Sequence, residues 1–413
     1  MRSHLPAAAL ALVLAAVAGR AHASDAAVSA VRTEGRITTL EPAGDSDSVI
    51  VLLCGDNRPG YRMQSRKREL GSMRGIASNG IAGWAAGLVA VPVLCVETIL
   101  PALDGPRDLW TKFVTHRPPW GREGPVREAM LGALPADTVV STGDLVTYGE
   151  RADLWAKFVA QEQELRARIP FFAAPGNHER TDTERGRANW NAAMGSPPEP
   201  GQYWYALDLP DGLARFVFLD SNLFADARGR YPDSLQEAWS RAQLDWADSA
   251  LAAPARYRFI VLHHPLVSAG HYLAMWGNPA GKRQARRRRL LDIARRRRVT
   301  AVLAGHEHLY QRVYIRTADH AGFWQVTTGG AGSPLHWLSA PMRRKSLGMP
   351  LPDSASTVLG SASGFSDFHF CRLVIPRRPD GGAALRMDVY QVGPKGEAKF
   401  VDRIDLAAAP EGP

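Results

Sequence analysis

The sequence predicts an α/β domain, and three observations carry that prediction. Short apolar runs of strand character recur at residues 48–54, 137–141, 170–174, 257–262 and 299–304. Helix-length segments, such as 151–168 and 281–298, lie between runs of this kind. Each run hands over directly to Asp, Asn or His, and in open α/β sheets the carboxyl ends of strands are where ligand-binding groups collect.

The 413 residues are 45% hydrophobic, enough for a sizeable core in one large domain or two modest ones, and disorder is not the theme. A net charge of +9 favours anionic partners such as phosphate esters, nucleic acid or lipid surfaces, through non-specific attraction alone. Three cysteines, Cys54, Cys95 and Cys371, allow at most one intramolecular disulfide and have no zinc-finger spacing. Residues 1–23 combine Arg2, an apolar run over 7–18 and the small-residue site Ala21-His22-Ala23. That pattern is a secretory signal peptide, too short for a spanning helix, so a periplasmic or secreted protein is expected.

Taken in order, the first run ends in Gly55-Asp56-Asn57-Arg58, the second in Gly143-Asp144 and the third in Gly176-Asn177-His178-Glu179. The fourth ends in His263-His264-Pro265 and the fifth in Gly305-His306-Glu307-His308. An Asp in a Gly/Pro turn is ordinary by itself. Five such ends in succession point to one site. Carboxylate, amide and imidazole without thiolate suit borderline divalent metals such as zinc, manganese or iron. A carboxylate shared by two ions about 3.5 to 4 Å apart can clamp a phosphoryl group and activate water.

This series resembles the calcineurin-like metallophosphoesterase superfamily, and residues 305–312 (GHEHLYQR) are similar to the purple acid phosphatase pattern Gly-His-x-His-x-Tyr-x-Arg. Tyr203-Trp204-Tyr205, residues 216–221, Gln243-Leu244 with Trp246, and residues 328–332 extend the likeness over residues 46–405. The resemblance implies an α/β/β/α sandwich of two sheets, with the site on strand-end loops. It also implies two divalent or mixed-valence ions of iron, zinc or manganese. Asp144 would bridge them, Asp56 and His308 would hold the first, and Asn177, His263 and His306 the second. His178 would stabilise developing charge or protonate the leaving oxygen, oriented by Glu179, and His264 would pack beside the site. The implied activity is hydrolysis of small phosphomonoesters by in-line attack. A phosphodiesterase or nucleotidase, or a catalytically weak module binding anionic polymer or lipid, stand as alternatives.

Two positions depart from the family. Arg58 stands where the superfamily has His, or Gly in its phosphatase branch, and guanidinium does not ligate metals. Arg58 is therefore expected either to bind a substrate phosphate oxygen or to turn outward to solvent beside Pro59. Thr147 stands where the phosphatase branch has a metal-binding Tyr, with Tyr148 one step late, which argues against an iron-tyrosinate pair.

The rest of the chain adds three expectations. Residues 61–125 form an insert, strongly basic over 62–74 and uncharged over 76–96. Asp56 and Asp144 flank it and must reach one site, so it cannot cross a membrane once. It is a lid over the site or a hairpin making a peripheral membrane contact through residues 76–96 with Trp84 at the headgroups, the lid being favoured. In 281–298 the apolar residues Leu290, Leu291, Ile293 and Ala294 would be buried and the arginine runs solvated, with contact to a polyanion or anionic lipid as the less favoured alternative. No pattern for sequence-specific nucleic-acid readout is present. Beyond Gly332 a Pro- and Ser-rich loop near the site is expected through Ser363, with His336 at the surface or, as the less favoured alternative, touching substrate, then strands near 368–375, 384–390 and 400–404, with His369 among aromatics.

Overall fold

The structure, a computed structural model, describes residues 30–42, 46–58, 123–197, 200–225, 230–268, 272, 275–277, 280–317, 322–336, 357–378 and 384–409. The chain opens with β1 (Ala30–Glu34), β2 (Ile37–Glu41) and β3 (Ser48–Cys54), followed by α1 (Glu123–Gly132) and β4 (Thr138–Ser141). Next come α2 (Ala152–Gln161), α3 (Gln163–Arg168), β5 (Phe171–Ala173), α4 (Glu184–Met194), β6 (Tyr205–Asp208) and β7 (Ala214–Phe218). Then follow α5 (Asn222–Ala225), α6 (Asp233–Ala252), β8 (Tyr257–Val261), α7 (Lys282–Arg296) and β9 (Ala301–Ala304). The closing strands are β10 (Tyr310–Thr317), β11 (Gly322–Thr328), β12 (Thr357–Phe365), β13 (His369–Pro376), β14 (Arg386–Val392) and β15 (Ala398–Asp405).

Among the described residues the strands form two mixed sheets, in the orders β1-β2-β6-β7-β8-β9-β11-β10-β12 and β15-β14-β13-β3-β4-β5. The layering follows from the period of two along each strand. In β7 and β8 Phe216, Phe218, Phe259 and Val261 pack between the sheets against Val51, Leu53, Leu373 and Val389 of the smaller sheet. Their neighbours Val217 and Ile260 face the other way, onto Leu244 and Ala247 of α6 and Leu290 and Ile293 of α7. In β3 Leu52 and Cys54 likewise face Val126, Ala129 and Met130 of α1. The inner strands are buried on both faces, which is why their sequences are continuous apolar runs. Each fully buried Val, Leu or Phe contributes about 1.5 to 3 kcal/mol of transfer free energy. The expected sandwich of two sheets between helices is what these contacts build.

Strands β7, β8 and β9 run parallel, as do β3, β4 and β5. Their carboxyl ends therefore open on the same side of each sheet, and all five candidate motifs sit there.

Several expectations are corrected. Residues 30–41, ahead of the domain start expected at residue 46, supply strands to the larger sheet, with β2 parallel to β6. The helix expected over 151–168 is two helices meeting at Glu162, which is buried and accepts a hydrogen bond from Asn57 Nδ2 at 3.3 Å. The loop expected through Ser363 ends in β12, because residues 357–365 pair with β10 and that pairing overrides their Gly/Ser composition. In α7, Arg286 and Arg287 are buried rather than solvated. Arg286 reaches Glu237 at 2.8 Å and the Leu223 carbonyl, and Arg287 packs over Trp276. Cys54 and Cys371 are free and buried. Among the described residues no helix is long and apolar enough to cross a membrane. The signal peptide, Cys95 and nearly all of the insert, including 76–96, lie outside the described residues.

Candidate metal centre

The centre is assembled from strand-end turns in unusual backbone conformations. Asp56, Asp144 and His306 all have positive φ, at 61°, 57° and 68°. Asp and His tolerate this left-handed region better than most residues, at a cost of about 1 to 3 kcal/mol each unless the surroundings brace them. Here they are braced. The Asp56 amide donates to the Gly143 carbonyl and the His306 amide to Asp56 Oδ2, both at 2.9 Å. The Asp144 amide donates to Glu179 Oε2, also at 2.9 Å.

Glu179 is the brace for two turns at once. Fully buried, it accepts from the amides of Asp144, Leu145, Val146 and Gly176. Burial and the Asp144 charge push its carboxyl up to about 8, against those amides that pull it down. Sequence reasoning assigned Glu179 to orient His178; its hydrogen bonds instead go to the backbone of the Asp144 and Asn177 turns. Gly176 is required beside it, since a Cβ there would lie 2.2 Å from Asp144 Oδ1.

On one side of Asp144 the donors converge as for a cation. His263 Nδ1 lies 3.0 Å from the Thr142 carbonyl and must donate to it. Burial lowers the His263 pKa, so the ring is neutral and Nε2 carries a lone pair. That lone pair faces Asn177 Oδ1 at 3.1 Å, His306 Nδ1 at 3.1 Å and Asp144 Oδ1 at 3.4 Å. A buried nitrogen lone pair against an amide and a carboxylate oxygen is repulsive unless a cation lies among them. Oxygens of Asp56 and Asp144 and a nitrogen of His263 also lie within 4.8 Å of one another. These residues fit a borderline divalent ion, which Asp144, Asn177, His263 and His306 would hold with Asp56 in reach.

The other side is different. Arg58 is 4% exposed and points into the centre. Its Nη1 donates to His178 Nε2 and its Nη2 to His308 Nε2, both at 2.5 Å, while Nε donates to Ser333 Oγ at 2.8 Å. Nη1 is also 3.6 Å from Asp144 Oδ2. Both imidazoles are fixed from behind, His178 Nδ1 by the Thr147 carbonyl at 2.6 Å and His308 Nδ1 by the Pro334 carbonyl at 2.5 Å. Their Nε2 lone pairs therefore accept from Arg58. His308 Nε2 lies 3.3 Å from Asp56 Oδ1, so the structure brings these two residues of the expected first-ion set together, beside Asp144. Asp56 Oδ1 is buried and accepts no hydrogen bond among the described residues. Two unit charges of like sign 4 Å apart repel by about 4 kcal/mol at an effective dielectric of 20, and a dication doubles that. A dication at His308 would meet this repulsion from a guanidinium that cannot deprotonate. The first-ion residues do not fit a metal in this arrangement.

The electrostatics follow the same division. Burial would raise the Asp144 carboxyl, but His263, His178 and Arg58 outweigh it and hold it below the ordinary carboxylate range. Burial and the nearby Asp144 charge push Asp56 well above that range, opposed by Arg58. Burial and then Arg58 lower His178 to about 4, so in this state it receives a proton contact rather than donating one from Nε2. His306 and His308 are pushed well below their usual value, first by burial.

Several neighbours were not legible as site residues. His336, expected at the surface, stacks on His308 at 3.9 Å and lies 3.2 Å from Glu307 Oε2. Tyr272 stacks on His306 at 4.1 Å. Thr142, Thr147 and Pro334 act through main-chain carbonyls, which no side-chain motif reveals. His264, expected to pack beside the site, bonds Ser221 Oγ at 2.9 Å, and Tyr148 stands edge-on to His178 at 6.4 Å.

Comparison with known proteins agrees with this geometry. The calcineurin-like phosphoesterase family model matches residues 125–310. The chain is 34% identical over 194 residues to a probable cyclic nucleotide phosphodiesterase of Rhodococcus erythropolis, covering 46% of this chain and 56% of that protein. It is 26% identical over 198 residues to purple acid phosphatase 23 of Arabidopsis thaliana, covering 45% and 39%. The chain thus spans about half, or less, of the length of these curated relatives. The purple acid phosphatase PPD1 from yellow lupin (Lupinus luteus) seeds shares the fold, with a TM-score of 0.52 at 15% identity, covering 90% of this chain and 57% of that one. The family match takes in the motifs at Asp144, Asn177, His263 and His306, so the chain carries a calcineurin-like phosphoesterase domain over residues 125–310 and resembles purple acid phosphatases in sequence over about half of its length and in fold.

Proposed function

We propose that the chain is an exported, metal-dependent phosphoester hydrolase acting on small phosphomonoesters. The observation that carries the reading is the buried convergence of Asp144, Asn177, His263 and His306, in which His263 Nε2 faces the acceptor oxygens of Asn177 and Asp144 at 3.1 and 3.4 Å, with His306 Nδ1 at 3.1 Å. A metal bound there supplies a Lewis acid that polarises a phosphoryl oxygen and makes water a nucleophile near neutral pH. The chain's own contribution is charge and orientation. Asp144 stays ionised between the two sides, Thr142 fixes the His263 tautomer, and Glu179 fixes the two turns. The buried positive charge of Arg58 favours the dianion of a monoester over the monoanion of a diester.

A second reading, a phosphodiesterase, is favoured by the name of the Rhodococcus relative. Turnover of p-nitrophenyl phosphate and of bis(p-nitrophenyl) phosphate, each with and without a chelator, separates the possibilities. Chelator-sensitive turnover that favours the monoester is expected. Preference for the diester would replace the substrate class, and turnover of neither, or turnover indifferent to chelation, would refute the reading.

A further inference from the structure

We propose that Arg58 stands in for one of the two ions the family pattern implies, so that the centre binds a single metal ion, on the His263 side of Asp144. This rests on the metal-dependent reading above and specifies the makeup of that site.

Three observations lead there. The Nε2 lone pairs of His178 and His308 are both engaged by the guanidinium, so His308 offers no donor atom to a metal while Arg58 holds this position. Arg58 is enclosed rather than mobile at a surface: it is 4% exposed and its Nε is tied to Ser333 Oγ at 2.8 Å. Finally, among the described residues, ligand atoms of Asp56, Asp144 and His263 lie within 4.8 Å of one another, a group on the His263 side of Asp144 that includes neither His306 nor His308. The charge pattern is conserved by this exchange. Asp144 would have cationic neighbours on both sides, an ion beside His263, which lies 3.4 Å from Oδ1, and the guanidinium 3.6 Å from Oδ2. A fixed monovalent fork replaces a dication, and it brings hydrogen-bond donors where an ion would bring open coordination positions.

The sequence supports the same conclusion from a second direction. By resemblance a further first-ion donor comes either from a His at position 58 or, in the phosphatase branch, from a Tyr at position 147, and this chain has neither: Arg58 and Thr147 stand there, and the Thr147 carbonyl holds His178. Loss of that further donor at one ion, where Asp56 and His308 remain, with every donor for the other retained, fits a site converted from two ions to one.

The test is metal content of the purified full chain, stripped with chelator, reloaded with excess Zn(II) or Mn(II), desalted and measured by elemental mass spectrometry. About one equivalent per chain is expected. Asn177→Ala should lose that equivalent on desalting and His308→Ala should keep it. Arg58→His, which restores a donor, should raise the content toward about two, with Arg58→Gly as the second variant in case the first does not fold. About two equivalents in the unmodified chain would overturn the inference and leave the hydrolase reading standing. Loss of the ion in His308→Ala, or content unchanged at about one in every folded Arg58 variant, would overturn it as well. No bound metal in the unmodified chain would sink both readings together.

Discussion

On the side of Asn177, His263 and His306, the buried His263 Nε2 lone pair faces Asn177 Oδ1 at 3.1 Å, with Asp144 Oδ1 at 3.4 Å. On the side of Asp56 and His308, the same kinds of donors surround a guanidinium that satisfies two imidazoles at 2.5 Å. Both sides are made from strand-end turns of the same two sheets, and both bury their ligands to a similar degree. The difference lies in one side chain, Arg58, and it teaches that a fold can keep its metal-site scaffold while changing what cation occupies half of it. A strand-end carboxylate needs a positive partner; the scaffold does not specify whether that partner is an ion or an arginine.

The largest effect should come from the residue the two sides share. Asp144→Asn removes the charge that balances both cations, and turnover of an aryl phosphate should fall by at least about a thousandfold. Far-ultraviolet circular dichroism should be unchanged, because Asp144 is braced through its backbone amide by Glu179. Near-normal turnover together with normal metal content would break the comparison at its centre.

A smaller effect separates burial from coordination. His369 in β13 is as buried as His263, with Nδ1 at 2.8 Å from the Asp367 carbonyl and Nε2 without a hydrogen-bond partner among the described residues. Burial lowers its pKa from 6.5 to about 4. As pH falls the unfolded chain binds this proton first, so stability is lost from about pH 6.5 down to about 4, on the order of 3 kcal/mol in all, and nothing is lost above that window. His369→Asn keeps a donor for the carbonyl and should flatten denaturant midpoints across that window while leaving metal content alone. An unchanged pH slope would show that His369 does not carry this share of acid sensitivity.

Much of the fold was legible because the inner strands are buried on both faces. β3 spans the apolar run at 48–54, and β4, β5, β8 and β9 fall within one or two residues of their expected bounds. Each candidate ligand could be located because it follows such a run. What could not be read were pairings decided at long range. β12 has Gly and Ser at 360–364 and is a strand only because β10 lies beside it. The burial of Arg286 depends on Glu237 in α6, and the position of His336 on Glu307 and His308. Arg58 could be seen as a departure from the family pattern, but its inward direction depends on Ser333, His178 and His308, each more than a hundred residues away.

The most direct measurement is an anomalous difference map from crystals of the chain loaded with Mn(II) or Zn(II). One peak is expected, bounded by Asp144, Asn177, His263 and His306, with the Arg58 guanidinium in density between His178 and His308. A pair of peaks astride Asp144, with Arg58 displaced from His308, would contradict the assignment of that cationic position to the arginine.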